Sequence, residues 1–274
     1  MFILLLIMMP LATTEIGTDS WITGIMENIV KESASFHPGW VLVHTSVIMM
    51  VLRFFAGPIV HALSPLPILM ISSVLAIAGL AALSGVSGVL MIFIAATLYA
   101  LGKTFFWPTM LGIVSEQTPK GGALTLNAIS GVGMLAVGVL GTPYIGALQE
   151  KKVVSEVAIV QEASAVPGLL LENGEISSSV IKEQDKLYGT IKYPVLQMDA
   201  VTELIKKAPE ADQEKITSAI TTAKDGSAQK ALLNMTLFPL IMLIAYVLMF
   251  LYFRSKGGYK PLELSSEGGS SSDD

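Results

Sequence analysis

Residues 2–11 are apolar almost without interruption, and five later stretches repeat the pattern at greater length: residues 39–60, 66–83, 89–114, 124–148 and 232–253. Hydrocarbon about 30 Å thick is crossed by about 20 apolar residues in a helix, so the pattern predicts six transmembrane helices. The "SGVSG" that separates 66–83 from 89–114 leaves room only for a tight antiparallel return.

Between the last two spans the pattern changes. Residues 150–230 hold ten lysines and thirteen acids, against seven basic and nine acidic residues in the rest of the chain, which predicts a water-exposed insertion. Within it "PVLQMDAVTELIKKA" puts Val195, Met198, Val201, Leu204 and Ile205 on one helical stripe. "PEADQEKITSAITTA" opens on Pro209 followed by acids, the marks of a helix start. A small helical cap is expected there. The end, "LELSSEGGSSSDD", is polar and of low complexity and reads as a disordered tail. Residues 1–149 thus carry five spans, 150–230 a soluble insertion, 231–255 the sixth span and 256–274 the tail.

With 52% apolar and 14% charged residues the chain is too hydrophobic for a soluble domain of 274 residues, so membrane lipid is its first expected partner. Cysteine is absent, which excludes disulfides and thiolate metal sites. The net charge of -5 comes with no basic stripe, so no nucleic-acid partner is expected. The first dozen residues also fit a secretory signal with "PLATT" as a loose cleavage site, but no Lys or Arg precedes them; a retained helix is the expectation. A chain that opens on Met-Phe-Ile in mid-hydrocarbon also has the look of a truncated or internally started product. Lysine and arginine in short loops set orientation. An even number of spans gathers Lys120, Arg254, Lys256 and Lys260 on the side of both termini, against Lys31 alone in the other short loops. Both ends are therefore expected in the cytoplasm, in a multi-pass protein of the cell membrane, with the insertion outside.

Ionisable groups inside spans cost several kcal/mol unless they meet protein, water or a partner, which makes each a candidate site. There are four: Glu15, Asp19, Arg53 and Lys103. Arg53 stands near the cytoplasmic end of its span, where holding helices together or snorkelling accounts for it. Glu15 and Asp19 share one helical face and repel each other, so they must split their protonation or find cations. Thr14, Thr18 and Trp21 lie on or near that face, and a water-filled cavity is the simplest surrounding that tolerates it. Pro10, Gly17 and Gly24 add the breakers common where a membrane helix bends around a transport site. Lys103 needs a carboxylate, and Glu15 or Asp19 can supply it. In the "FFWP" that follows, Phe105 reads as packing, whereas Trp107 suits the wall of a ligand cavity. The glycines of "GVGMLAVGVLGTPYIG", with Pro143, predict a tightly packed and bent span.

Enzyme signatures do not appear. His37, His44 and His61 lack the spacing of a metal site, and neither H-E-x-x-H nor G-x-S-x-G occurs. No cofactor is expected.

Four stretches resemble the C-terminal six-helix half of a major facilitator superfamily (MFS) transporter. "RFFAGPIVHALSP", from Arg53, is similar to the family's G-x-x-x-D-R-x-G-R loop: Gly57 is kept, while His61, Ala62 and Ser64 stand where an acid, an arginine and a glycine belong. "LGKTFFWPTMLGIVSEQTPKGG" follows the order of the fourth-to-fifth-helix passage with Pro108, Glu116, Pro119 and Lys120. "GVLGTPYIG", with Gly141 and Pro143, is similar to the glycine-proline bend of the next helix, and the first span with its polar middle looks like the seventh helix of a full transporter. The resemblance covers residues 1–149 and 231–255; the long insertion is not typical of the family. It implies an all-α membrane fold, half of an MFS-type bundle, whose first and fourth spans border a cavity holding Glu15, Asp19, Lys103 and Trp107. It also implies secondary transport of a small polar solute with protons. Because only one half is present, the expected partner is a separate N-terminal half or a second copy in a parallel homodimer. The competing expectation is a non-transporting assembly or receptor subunit that works through residues 150–230.

Overall fold

A computed structural model of the chain describes residues 2–20, 22, 26, 37–186 and 189–262. Trp21, Gly24, Lys31 and residues 263–274 of the expected tail lie outside the described residues. The molecule is mostly helical. Helix α1 (Phe2–Ala12) runs on through a π-helical segment, Thr13–Gly17. Then come α2 (Gly39–Phe54), α3 (Ala56–Leu63), α4 (Pro65–Leu83), α5 (Val89–Lys103), α6 (Phe106–Gln117) and α7 (Gly122–Ala136). A second π segment, Val137–Gly141, leads into α8 (Thr142–Ala158). Among the described residues five stretches are long and apolar enough to cross a membrane: Phe2–Ser20, Pro65–Leu83, Val89–Gln117, Pro119–Ala158 and Glu210–Ser255. Gly39–Phe54 is apolar but shorter. The chain is a membrane-embedded, multi-pass protein.

Glycine decides how closely these helices pack. A Cβ on Gly79 of α4 would lie 2.4 Å from the backbone nitrogen of Tyr99 on α5, and one on Gly102 would lie 2.5 Å from that of Ala76. The two backbones therefore touch at both glycines, the close approach that small residues allow between membrane helices. The same device joins the first helix to the Gly-rich span. A Cβ on Gly133 would meet Met8 at 3.1 Å, and one on Gly141 would meet Thr13 at 2.7 Å, so the two π segments lie against each other. Gly57, Gly131 and Gly138 have open space around them. The helix breaks before Pro65, because a residue preceding proline is held out of the helical region; Ser64, between α3 and α4, takes a positive φ of 64° there.

The insertion is not wholly helical as expected. It contains an antiparallel hairpin, β1 (Ile181–Lys186) with β2 (Ile191–Leu196), in a register from Ile181 opposite Leu196 to Lys186 opposite Ile191. Helix α9 (Met198–Ile205) buries Val201 and Ile205 of the predicted stripe, and α10 (Glu210–Met235) begins after Pro209 as its start signal predicts. The hairpin packs on α8, and α8 packs on α10. Val153, Val157, Val166, Leu169, Val180, Leu196 and Ile216 belong to a core of their own. Both α8 and α10 run through the boundaries drawn at residues 150 and 230, so the insertion grows out of continuous helices. Gln229 donates to the carbonyls of Leu83 at 2.9 Å and Val86 at 2.5 Å, tying α10 to the α4–α5 turn. The last helix, α11 (Leu237–Ser255), packs on α1 and α4.

Candidate functional site

The polar centre of the bundle is built on the first π segment. The i→i+5 turn, a form frequent at functional sites, contains Glu15, and Asp19 follows one turn later. Two other helices supply cations. Arg53, in the last turn of α2, donates from Nη2 to Oε1 of Glu15 at 2.7 Å. Lys103, the last residue of α5, reaches both oxygens of Asp19, at 2.5 and 2.7 Å. Each acid thus has its own cation from a different helix, which offsets the like-charge repulsion that their spacing creates.

The surroundings of the pairs differ. The Lys103 side chain is wholly buried, with Thr45 Oγ1 at 3.4 Å and the Tyr99 ring centroid 5.2 Å from its ammonium. Tyr99 is held in turn by donating to the carbonyl of Thr14 at 2.6 Å. The Arg53 side chain is 39% exposed and lines an open groove of about 430 Å3 with Ser46, Met49, Met50 and Phe54. Glu15 is buried; its Oε2 accepts no hydrogen bond among the described residues. The hydroxyls of Thr109 and Tyr246 are buried and likewise have no partner among the described residues.

Pro108 ties the site to the helix break. Proline has no N–H for the carbonyl four residues earlier, which here is that of Thr104, between α5 and α6. Arg53 Nε donates to that oxygen at 3.1 Å. One guanidinium therefore spans Glu15 and the α5–α6 break.

The structure brings Glu15, Asp19, Arg53 and Lys103 together. Trp107 is half-buried and packs against the hydrophobic core of the bundle. Thr14 turns its hydroxyl back to the carbonyl of Pro10 at 2.8 Å, and Thr18 is buried. Gly141 sits against Thr13 and Pro143 opens α8. Glu116 lies at the end of α6, where it accepts from the Tyr259 hydroxyl at 2.6 Å, and Gln117 donates to the Lys260 carbonyl at 2.9 Å. Burial and the Glu116 carboxylate push the Tyr259 phenol well above its usual range. Pro119 starts a short 3-10 turn with the exposed Lys120. Sequence reasoning missed Tyr99, Thr45 and Thr104. Tyr99 lies one turn before Lys103 and was findable by that spacing; Thr104 was findable as the carbonyl that Pro108 leaves free. Compared with protein-family models, with curated proteins and with solved structures, the chain matches none.

Proposed function

We propose that the chain is the C-terminal six-helix half of a major facilitator superfamily transporter, carrying a small polar solute across the cell membrane with proton coupling through Glu15 or Asp19. The observation that carries this reading is the pair of acids one turn apart on the first helix, each met inside the bundle by a cation from a different helix. Buried ion pairs are weak contributors to stability, since desolvation offsets much of their attraction; four intramembrane charges kept together are better understood as serving a pathway. In this reading α2 and α3 together form the second of six spans, both termini are cytoplasmic and the insertion is outside. The other wall of the cavity comes from a separate N-terminal half or a second copy. The test is solute uptake into vesicles holding the assembled transporter: Glu15→Gln and Asp19→Asn should each abolish coupled uptake, read per molecule of assembled transporter. Wild-type uptake in both variants would sink the proposal.

A second reading has its own support. The insertion has a hydrophobic core separate from that of the bundle, as expected of a module that acts alone, in a non-transporting assembly or receptor subunit. Deleting residues 159–209 and joining α8 to α10 separates the two: a transporter keeps most of its uptake, an assembly subunit loses its function.

A further inference from the structure

We infer that Glu15, and not Asp19, is the acid that takes up and gives up the proton, with Asp19 the permanent counterion of Lys103. The inference rests on the transport reading above and narrows it to one residue. Three observations divide the two acids.

Asp19 spends both oxygens on an ammonium that is wholly buried. Were Asp19 protonated, Lys103 would keep a neutral oxygen of Asp19, the long contact to Thr45 and the face of Tyr99, with no counter-charge in direct contact among the described residues. A buried charge whose partner has been removed is among the most costly arrangements in a folded protein. Glu15 engages its cation through one oxygen, and the other is buried without a donor among the described residues. Burying a charged oxygen without a hydrogen bond is costly, whereas the neutral carboxyl is far cheaper to bury. Arg53 is equipped for the loss of that charge. Its Nε stays on the Thr104 carbonyl, and its half-exposed end lines the open groove, so neutralising Glu15 leaves no buried orphan cation.

The charged groups acting on Glu15 are Arg53 from α2, Lys103 from α5 and Asp19 from its own helix. The Tyr99 phenol of α5 is engaged by Thr14. Tyr144 of α8 lies across an apolar groove from Thr13, and α11 contributes Tyr246. None of these tyrosines supplies a cation, so Arg53 is the partner whose hold changes with the proton.

Infrared difference spectroscopy of the full chain in lipid nanodiscs, between alkaline and acidic buffer, reads the carbonyl stretch of protonated carboxyls directly. Wild type should show a band characteristic of a carboxyl in apolar surroundings. Glu15→Gln should lose that band, and the paired variant Asp19→Asn Lys103→Met, which removes both charges together and leaves no orphan, should keep it. Persistence of the band in Glu15→Gln overturns the inference, as does its loss in the paired variant or its absence from wild type. The spectra need no solute and no second half. A band that belongs to Glu15, in a protein whose assembled vesicles show no coupled uptake, upholds the assignment and overturns the transport reading alone.

Discussion

Arg53 donates to the carbonyl of Thr104 at 3.1 Å, an acceptor that exists because Pro108, four residues on, has no N–H. In a continuous helix that oxygen would be occupied and the guanidinium would have to find another acceptor or face the groove. Pro108→Ala restores the N–H and should close the break between α5 and α6. Proline inside a helix costs about 3 kcal/mol, so the variant should be as stable as wild type or more so, while Arg53 loses one of its two bonds. The chain has only two arginines, Arg53 and Arg254. Modification by a guanidine-specific reagent, mapped by peptide mass, should therefore rise at Arg53 and stay constant at the exposed Arg254. Equal labelling of Arg53 in both proteins would show that the proline does not set its hold.

Lys103 and Asp19 should behave as a unit. Removing one partner of a buried pair costs about 3–5 kcal/mol because a charge is left without compensation, whereas replacing both is often nearly neutral. Lys103→Met and Asp19→Asn should each destabilise the detergent-solubilised chain by about that amount, and the double variant by much less. A double-mutant cycle on denaturation midpoints measures the difference. Additive single effects would mean that the two side chains do not depend on each other.

How much of this was legible in the chain depends on whether the cause is local. The spans follow from hydropathy, and the need of Lys103 for a carboxylate follows from the cost of an intramembrane charge; both are properties of short stretches. Which acid meets which cation is decided by the turn of α1 through its π segment and by how deeply α5 sits against α4, and neither is written at Glu15 or Lys103. The hairpin escaped notice for a similar reason: "IKEQDK" is a charged strand whose pairing is settled by the turn at Gly189, with a φ of 83°, and by the packing of β2 on α8. The α4–α5 glycines were visible as small residues, but only the contact shows that Gly79 seats the backbone of Tyr99.

That contact makes Gly102 and Gly79 sensitive positions. An alanine at Gly102 would place its Cβ 2.5 Å from the backbone nitrogen of Ala76 and 2.8 Å from the Ser72 carbonyl, and backbone cannot swing aside as a flexible side chain does. Overpacking typically costs 1–3 kcal/mol, and more where nothing yields. Gly102→Ala should fall at or above the top of that range. It should also push α5 outward, moving Lys103 from Asp19, so the midpoint should drop further in wild type than in the Lys103→Met Asp19→Asn background. An equal drop in both would mean that the glycine packs the helices without positioning the ion pair.

Tyr259 fastens the segment after α11 to the end of α6. Its hydroxyl donates to Glu116 at 2.6 Å, its ring meets Phe253 edge-on at 5.1 Å, and the Leu262 N–H reaches the Glu116 carbonyl at 2.9 Å. The phenol is held above its usual range by burial first and by the Glu116 carboxylate next. A group whose folded value is raised contributes stability that is complete below its unfolded value, about 10 for tyrosine, and is lost as pH rises through the folded value. The strap should therefore hold across neutral and mildly alkaline buffer and release only well above pH ~10. Tyr259→Phe removes one hydrogen bond to a charged group, about 1.5–3 kcal/mol, and should expose residues 256–262 to protease at neutral pH. Glu116→Gln should bring the phenol back down, so that tyrosinate absorbance appears earlier in an alkaline titration than in wild type. Identical titration curves, with no new cleavage in Tyr259→Phe, would show that the ring contact and the remaining hydrogen bonds hold the strap without the phenol.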